Sequence, residues 1–205
     1  MYVTHIEETD KRKVMVYVDE GESFPLYKGE IKRYGIMEQT ELSEEDYRRI
    51  INDILIKRAK DRAMYILQGA DRTEKQIREK LMKGRYPSVV IDEVIKFLLK
   101  YEYINDYNYS VSYIRACSKS KSERFMREKL RQKGVDKNII DTAMEDAMKE
   151  ADYDSQGIIT DILKKKRYNN DTADIKEKNR IISHLMRKGF RYEDILDSIR
   201  IAKYN

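Results

Sequence analysis

From Ala59 onward one hydrophobic register recurs three times, and this recurrence limits the fold more than any other feature of the chain. The anchoring leucines stand in Ile77-Arg78-Glu79-Lys80-Leu81, Met126-Arg127-Glu128-Lys129-Leu130 and Ile181-Ile182-Ser183-His184-Leu185. Each has an apolar residue four positions before it, a spacing that puts both side chains on one face of a helix. Five residues after the leucine comes Tyr86, Val135 or Phe190. From that residue apolar positions follow at offsets of 5, 9 and 12: Ile91, Ile95 and Leu98; Ile140, Met144 and Ala147; Ile195, Ile199 and Ala202. A further apolar segment precedes each set: Ala63, Ile66 and Leu67; Val111, Tyr113 and Ile114; Ile158, Ile159, Ile162 and Leu163. Each unit therefore reads as three helices. The leucines lie 49 and then 55 residues apart, and the extra length of the third unit is expected in the basic, Asn-rich stretch from Lys164 to Asp171. A unit of this size has little core of its own, and stacking on neighbours would bury what each leaves exposed. The expected fold is mainly α: tandem three-helix repeats in an elongated curved array, with a small N-terminal β-hairpin/α extension.

Helix boundaries agree with this reading. Gly134 and Gly189 precede the Val135 and Phe190 anchors, where a residue past a helix end adopts the left-handed conformation. In the first unit Gly84 stands one place early and Arg85 holds the matching position. Thr73 and Ser122, each eight before its leucine, open the middle helices, Thr73 with Gln76 in a capping box. Asn105 and Asp106 read as caps of the following helix. Ahead of the repeats, Val14-Met15-Val16-Tyr17-Val18 is a β-branched and aromatic run between turn residues, with Tyr2 to Glu7 as its partner strand. A third strand is expected near Ser23 to Tyr27, at an edge because of Pro25. A short helix around Gly29 to Tyr34 follows, and Ser43 caps another whose apolar stripe is Tyr47, Ile50, Ile51, Ile54 and Leu55. The expected divisions are 1–58 for the extension and 59–107, 108–150 and 151–205 for the repeats.

Composition matters for what it excludes and for where charge collects. A chain with 39% charged residues, eight Gly and two Pro is not an all-β fold. Cys117 is the single cysteine, so there is no intrachain disulfide, and with only His5 and His184 there is no Cys/His zinc cluster. A reducing cytosol, with no membrane span and no signal peptide, is the expected setting. The net charge of +5 is uneven, residues 1–58 carrying −3 and the three repeats +2, +3 and +3. The densest excess runs from Arg115 to Lys133, where Arg115, Lys119, Lys121, Arg124, Arg127, Lys129, Arg131 and Lys133 face only Glu123 and Glu128. Such a stretch is either a surface for phosphate or an acidic partner or the solvated face of a charged helix.

No enzyme motif is present: no glycine-rich phosphate loop, no nucleophile elbow, no metalloprotease helix. His184 reads as a structural or solvated helix residue, and Cys117 as inert, although Arg115 and Lys119 favour its thiolate modestly. Tyrosine is abundant, with Tyr101, Tyr103, Tyr107, Tyr109 and Tyr113 running into the basic stretch. Rings among cations stack nucleobases, and the same spacing of four also describes packing along a helix face.

The segment Tyr103-Ile104-Asn105-Asp106-Tyr107 resembles the Tyr-Leu-Asn-Asp junction of RecX proteins, regulators of the RecA recombinase. Thr73 to Leu81, Arg127 to Val135 and Leu185-Met186-Arg187-Lys188-Gly189-Phe190 extend the resemblance over about 59 to 204, and the N-terminal hairpin with Lys32-Arg33-Tyr34-Gly35-Ile36 looks like the extension of some members. Ser122, where many members have glycine, and the early Gly84 are departures. The resemblance implies a non-enzymatic modulator; a cytoplasmic monomer without a cofactor is expected. It implies binding to RecA filaments on single-stranded DNA, with contact to the DNA directly or through the filament, and restraint of filament growth, ATP hydrolysis, strand exchange and coprotease activity. Guided by it, the expected contact surface is Arg115, Arg124, Arg127, Lys129, Arg131 and Lys133, with Arg78, Lys80 and Arg85 before them and Arg187, Lys188 and Arg191 after. The competing expectation is a stand-alone nucleic-acid-binding protein of helical repeats.

Overall fold

The structure is a computed structural model that describes residues 1–203. The expected third-repeat limit at residue 205 lies outside the described residues. The chain forms two compact units, Met1–Asn105 and Asp106–Asn205.

The first unit opens with β1 (Tyr2–Glu8), β2 (Lys13–Val18) and β3 (Phe24–Tyr27), followed by helix α1 (Lys28–Arg33) and the short strand β4 (Thr40–Glu41). All pairings are antiparallel, in the order β3-β2-β1-β4. Pro25 thus sits on an edge strand, where its missing N–H costs no ladder bond. Strand β4 has only two residues, too few for an alternating pattern to announce it.

Next come α2 (Glu44–Arg49), a π-helical stretch (Ile50–Leu55) and α3 (Ile56–Gly69), which form one unbroken helical run. Ser43 caps it, its Oγ accepting the Asp46 amide at 3.0 Å. The wider π turn lets Ile50, Ile51 and Leu55 all reach the core. This run passes straight through the division expected at 58/59. The physical reason is a shared core: Val3, Val14, Val16, Phe24 and Leu26 of the sheet cluster with Ala63, Leu81, Ile91 and Leu98. Two polar links reinforce it. Arg58 on α3 pairs with Glu30 and lies 4.4 Å from the Tyr27 ring. Glu22 accepts from the amide and hydroxyl of Ser88 at 2.6 and 2.5 Å, capping the helix that begins there. The extension therefore supplies core and cap to the first repeat.

That repeat is completed by α4 (Glu74–Lys83) and α5 (Ser88–Lys100), the second consists of α6 (Asp106–Cys117), α7 (Glu123–Gln132) and α8 (Lys137–Glu150), and the third of α9 (Ser155–Lys165), α10 (Ile175–Arg187) and α11 (Tyr192–Ile201). Leu81, Leu130 and Leu185 are buried at the centres of the repeats, as are all nine residues at offsets 5, 9 and 12, while Tyr86 is half-buried. The Thr73–Gln76 capping box forms, and Ser122 Oγ accepts the Phe125 amide at 3.1 Å. Gly134 and Gly189 take φ of +85° and +88°, and Arg85 takes +59° at the matching place. An arginine there bears the left-handed penalty that glycine avoids.

The extra length of the third repeat is divided. Part lies in the segment 166–174, which replaces the shorter links before α4 and α7. The rest lengthens α10, whose cap Asp174 stands eleven residues before Leu185, where Thr73 and Ser122 stand eight before theirs. The segment is tied down by Tyr168, buried to 1% exposure, and by the Asn170 amide donating to the Ala202 carbonyl at 2.9 Å.

Candidate functional site

The basic residues singled out in the sequence divide into structural and available cations. On α4, Arg78 donates Nε to Glu74 at 2.7 Å and Nη1 to Asp92 of α5 at 2.6 Å. On α7, Arg127 does the same with Glu123 at 2.7 Å and with Asp141 of α8. Bonds to Asp92 and Glu74 raise the proton affinity of Arg78; in Arg127 burial works against the charge, and the two carboxylates outweigh it. Both arginines thus join the middle helix to the third helix of their repeat. In the third repeat the same register holds Lys178, Ile182 and Leu196, so the clamp is absent and an aliphatic pair replaces its Arg and Asp.

Other members are engaged more loosely. Arg115 pairs with Glu150 at 2.5 Å, Arg191 with Glu193 at 3.2 Å, and Arg85 stands 3.9 Å from Glu7. Lys129 donates to Gln132 at 3.0 Å, Lys133 lies 5.6 Å from the Tyr109 ring, and Lys188 donates to the Ser120 carbonyl at 3.3 Å. Exposed, and outside every ion pair among the described residues, are Lys80, Arg124, Arg131 and Arg187. Exposed surface pairs contribute little to stability, so these groups remain available to a partner.

Arg124, Arg127, Arg131 and Arg191 are brought to one cleft of about 670 Å³ between α7 and the start of α11, together with Glu123, Glu128 and Asp194. Lys129 and Lys133 are not among its lining residues, and Arg78, Lys80 and Arg85 belong to the first unit. The cleft closes where the second repeat meets the third. The Ser122 amide donates to the Lys188 carbonyl at 3.1 Å, and a Cβ on Gly189 would meet Ser122 Oγ at 2.4 Å and Phe125 Cβ at 2.7 Å.

The tyrosines also separate. Tyr107, Tyr109 and Tyr113 pack against the second repeat's core, Tyr107 donating to Asp146 at 2.7 Å. Burial, and after it the Cys117 thiol, push the Tyr113 hydroxyl well above its usual range. Tyr101 and Tyr103 stay exposed against Phe97, with centroids 4.9 and 5.9 Å away, and Lys60 lies 4.3 Å from the Phe97 ring. Cys117 is half-buried. Among the described residues no His, Cys, Asp and Glu converge as a metal site, and no helix is long and apolar enough to cross a membrane.

One grouping was not expected from the sequence, although Arg187 stands in the expected surface and His184 reads as a helix residue. Lys166, Arg180, His184 and Arg187 line a second groove, of about 1100 Å³, along α10. Its sequence signals are the run Lys164-Lys165-Lys166-Arg167, which reads as a loop, and the helical spacing of Lys176, Arg180, His184 and Arg187.

Comparison with known proteins agrees with the repeat assignment. Family models of the first, second and third three-helix domains of RecX match residues 59–98, 105–144 and 153–198. Similar sequences named regulatory protein RecX include one from Clostridioides difficile strain 630, 28% identical over 204 residues and covering 94% of this chain and 92% of the relative. Another, from Clostridium beijerinckii, is 28% identical, covering 92% of this chain and 88% of the relative. A crystal structure of a regulatory protein RecX aligns with TM-score 0.58 at 24% identity, covering 96% of this chain and 98% of that one, a likeness of fold. The RecX crystal structure from Lactobacillus salivarius aligns with TM-score 0.57 at 27% identity, covering 71% of this chain and 95% of that one.

Proposed function

The chain belongs to the RecX family of regulatory proteins, and on that premise we propose that it modulates the RecA recombinase. The observation that carries the reading is the succession of all three RecX domains in one chain. In this reading the protein binds RecA filaments on single-stranded DNA and restrains their growth, with ATP hydrolysis, strand exchange and coprotease activity falling as a result. It acts as a monomer in the cytoplasm, without catalytic chemistry. The contact surface centres on Arg124 and Arg131, whose exposed guanidiniums share the cleft with Arg191 and have no ion-pair partner among the described residues. Arg78 and Arg127 support that surface by holding helices together.

The test is RecA ATP hydrolysis on single-stranded DNA with substoichiometric amounts of the protein. A fall in rate with shorter filaments is expected, and unchanged rate and length would sink the reading. Reversing Arg124 and Arg131 together should weaken inhibition while leaving the fold intact; adding Arg127 to the set would confound the two. Strong, salt-sensitive binding to bare DNA that recombinase does not alter would favour a stand-alone nucleic-acid-binding protein instead.

A further inference from the structure

The groove along α10 gathers cations that have no ion-pair partners among the described residues beside a buried hydroxyl that has no hydrogen-bond partner among them. Lys176, Arg180, His184 and Arg187 follow one another at spacings of four, four and three, forming a single stripe along the helix. Lys165 and Lys166, at the end of α9, face the stripe from the other wall. None of the five Lys and Arg residues forms an ion pair among the described residues, although sixteen ion pairs of Lys and Arg form elsewhere among them. The acids of the groove, Asp174 and Glu177, stand at the N-terminal end of α10, and Asp174 caps the helix by accepting the Glu177 amide at 2.7 Å. Glu177 is seven residues from His184, about 10 Å along the axis. The groove is also lined by Tyr168, whose hydroxyl is buried with no hydrogen-bond partner among the described residues. An orphaned buried donor is costly, and a ligand composed of acceptors would satisfy it.

We propose that this groove is a binding site for phosphate groups, held by Lys166, Arg180 and Arg187 with His184 at their centre and Tyr168 donating from below. The unprotonated oxygens of a phosphate accept hydrogen bonds, which matches the donors of Lys166, Arg180 and Arg187. The stripe from Lys176 to Arg187 is about 16 Å long, room for more than one phosphate of a chain. Burial comes first in lowering the proton affinity of His184, followed by Lys166, Lys188, Arg187 and Lys121; Lys188 is lowered by burial, Lys121 and Lys166. An anion among these groups would relieve their repulsion and raise the affinity of His184 for its proton. Binding should therefore tighten as the pH falls through the histidine range. This inference uses none of the second-repeat cations assigned to the RecA-facing cleft.

The chain of 205 residues has two histidines, so the imidazole resonances of His184 and His5 can be followed by NMR as pH is varied. Sulfate, which does not titrate near neutrality, inorganic phosphate and a short oligothymidylate are added in turn. The expected result is an upward displacement of the His184 titration with His5 unmoved. A response to the oligonucleotide at concentrations where free phosphate gives none identifies a phosphodiester chain as the source; equal response identifies free phosphate. The K166E/R180E variant, altered at two exposed positions, should bind about tenfold more weakly with unchanged circular dichroism. An unmoved His184 titration with all three anions, equal binding by K166E/R180E, or a response to poly-glutamate alone would overturn the proposal. No recombinase is present in the experiment, so its failure would leave the RecA reading standing.

Discussion

The first two repeats and the third solve one packing problem in two ways. Glu74, Arg78 and Asp92, and Glu123, Arg127 and Asp141, join the middle and last helices of their repeats through a shared guanidinium. At the same register the third repeat has Lys178, Ile182 and Leu196, and Ile182 packs half-buried on the core. An ion pair of this kind can be exchanged for apolar contact at little net cost, provided both partners change. A basic residue in these helices is therefore not a recognition residue by composition alone. Where the clamp exists the arginine is structural; where it is missing, the neighbouring cations of α10 have no carboxylate to meet.

The comparison can be broken most strongly at the junction that fastens the clampless repeat to the second. G189A should cost about 3 kcal/mol, combining the left-handed penalty with the approach to Ser122 and Phe125. G134A, which meets the same backbone requirement at the end of α7, should cost about 1 kcal/mol. Equal costs in urea denaturation would mean that the junction yields. Next, R127A should destabilise by about 1 kcal/mol by leaving Glu123 and Asp141 without their shared partner, whereas R127I/D141L, which imitates the third repeat, should lie close to wild type. If the double variant is the worse of the two, the clamps and the aliphatic pair are not equivalent solutions. A smaller effect of opposite sign is expected from R85G, which should stabilise by about 0.5 kcal/mol by placing glycine at φ +59°, read as a rise in melting temperature.

The smallest expected effect is pH-dependent and confined to the third repeat. Burial and then neighbouring cations lower the His184 proton affinity in the fold, so the unfolded chain binds the proton more readily. Stability should be complete above the unfolded histidine value of about 6.5 and decline as the pH falls below it. Denaturation midpoints at pH 7.5 and 5.5 should differ in that direction, and H184Q should reduce the difference. A midpoint that rises on acidification would contradict the arrangement.

Much of the fold was legible because burial follows periodicity. The leucines and the offsets of 5, 9 and 12 mark core positions whichever neighbour covers them. Thr73, Ser122 and Ser43 were legible as caps because capping is local. That one helical run crosses 58/59 was not legible, because whether two apolar segments share a core depends on contacts between residues far apart in the chain. The clamps left a signal that could have been found: in both repeats an arginine stands three before the leucine and an aspartate eleven after it. Their meeting, by contrast, is a property of two packed helices. Of the candidate surface, the richness of the second repeat in cations was evident, but which cations are engaged was not, since Arg124 and Arg127 are three residues apart on one helix and meet different surroundings.

Three helical repeats with their caps, their core residues, an edge strand at Pro25 and membership in a family follow from spacing within short stretches of chain. That the extension shares the first repeat's core, that Arg78 and Arg127 are clamps, and that Lys166, Arg180, His184 and Arg187 line one groove with the buried Tyr168 are matters of packing between distant segments. Charge and hydrogen-bonding capacity are written in the residues, but whether they are satisfied depends on what folding brings within a few ångströms.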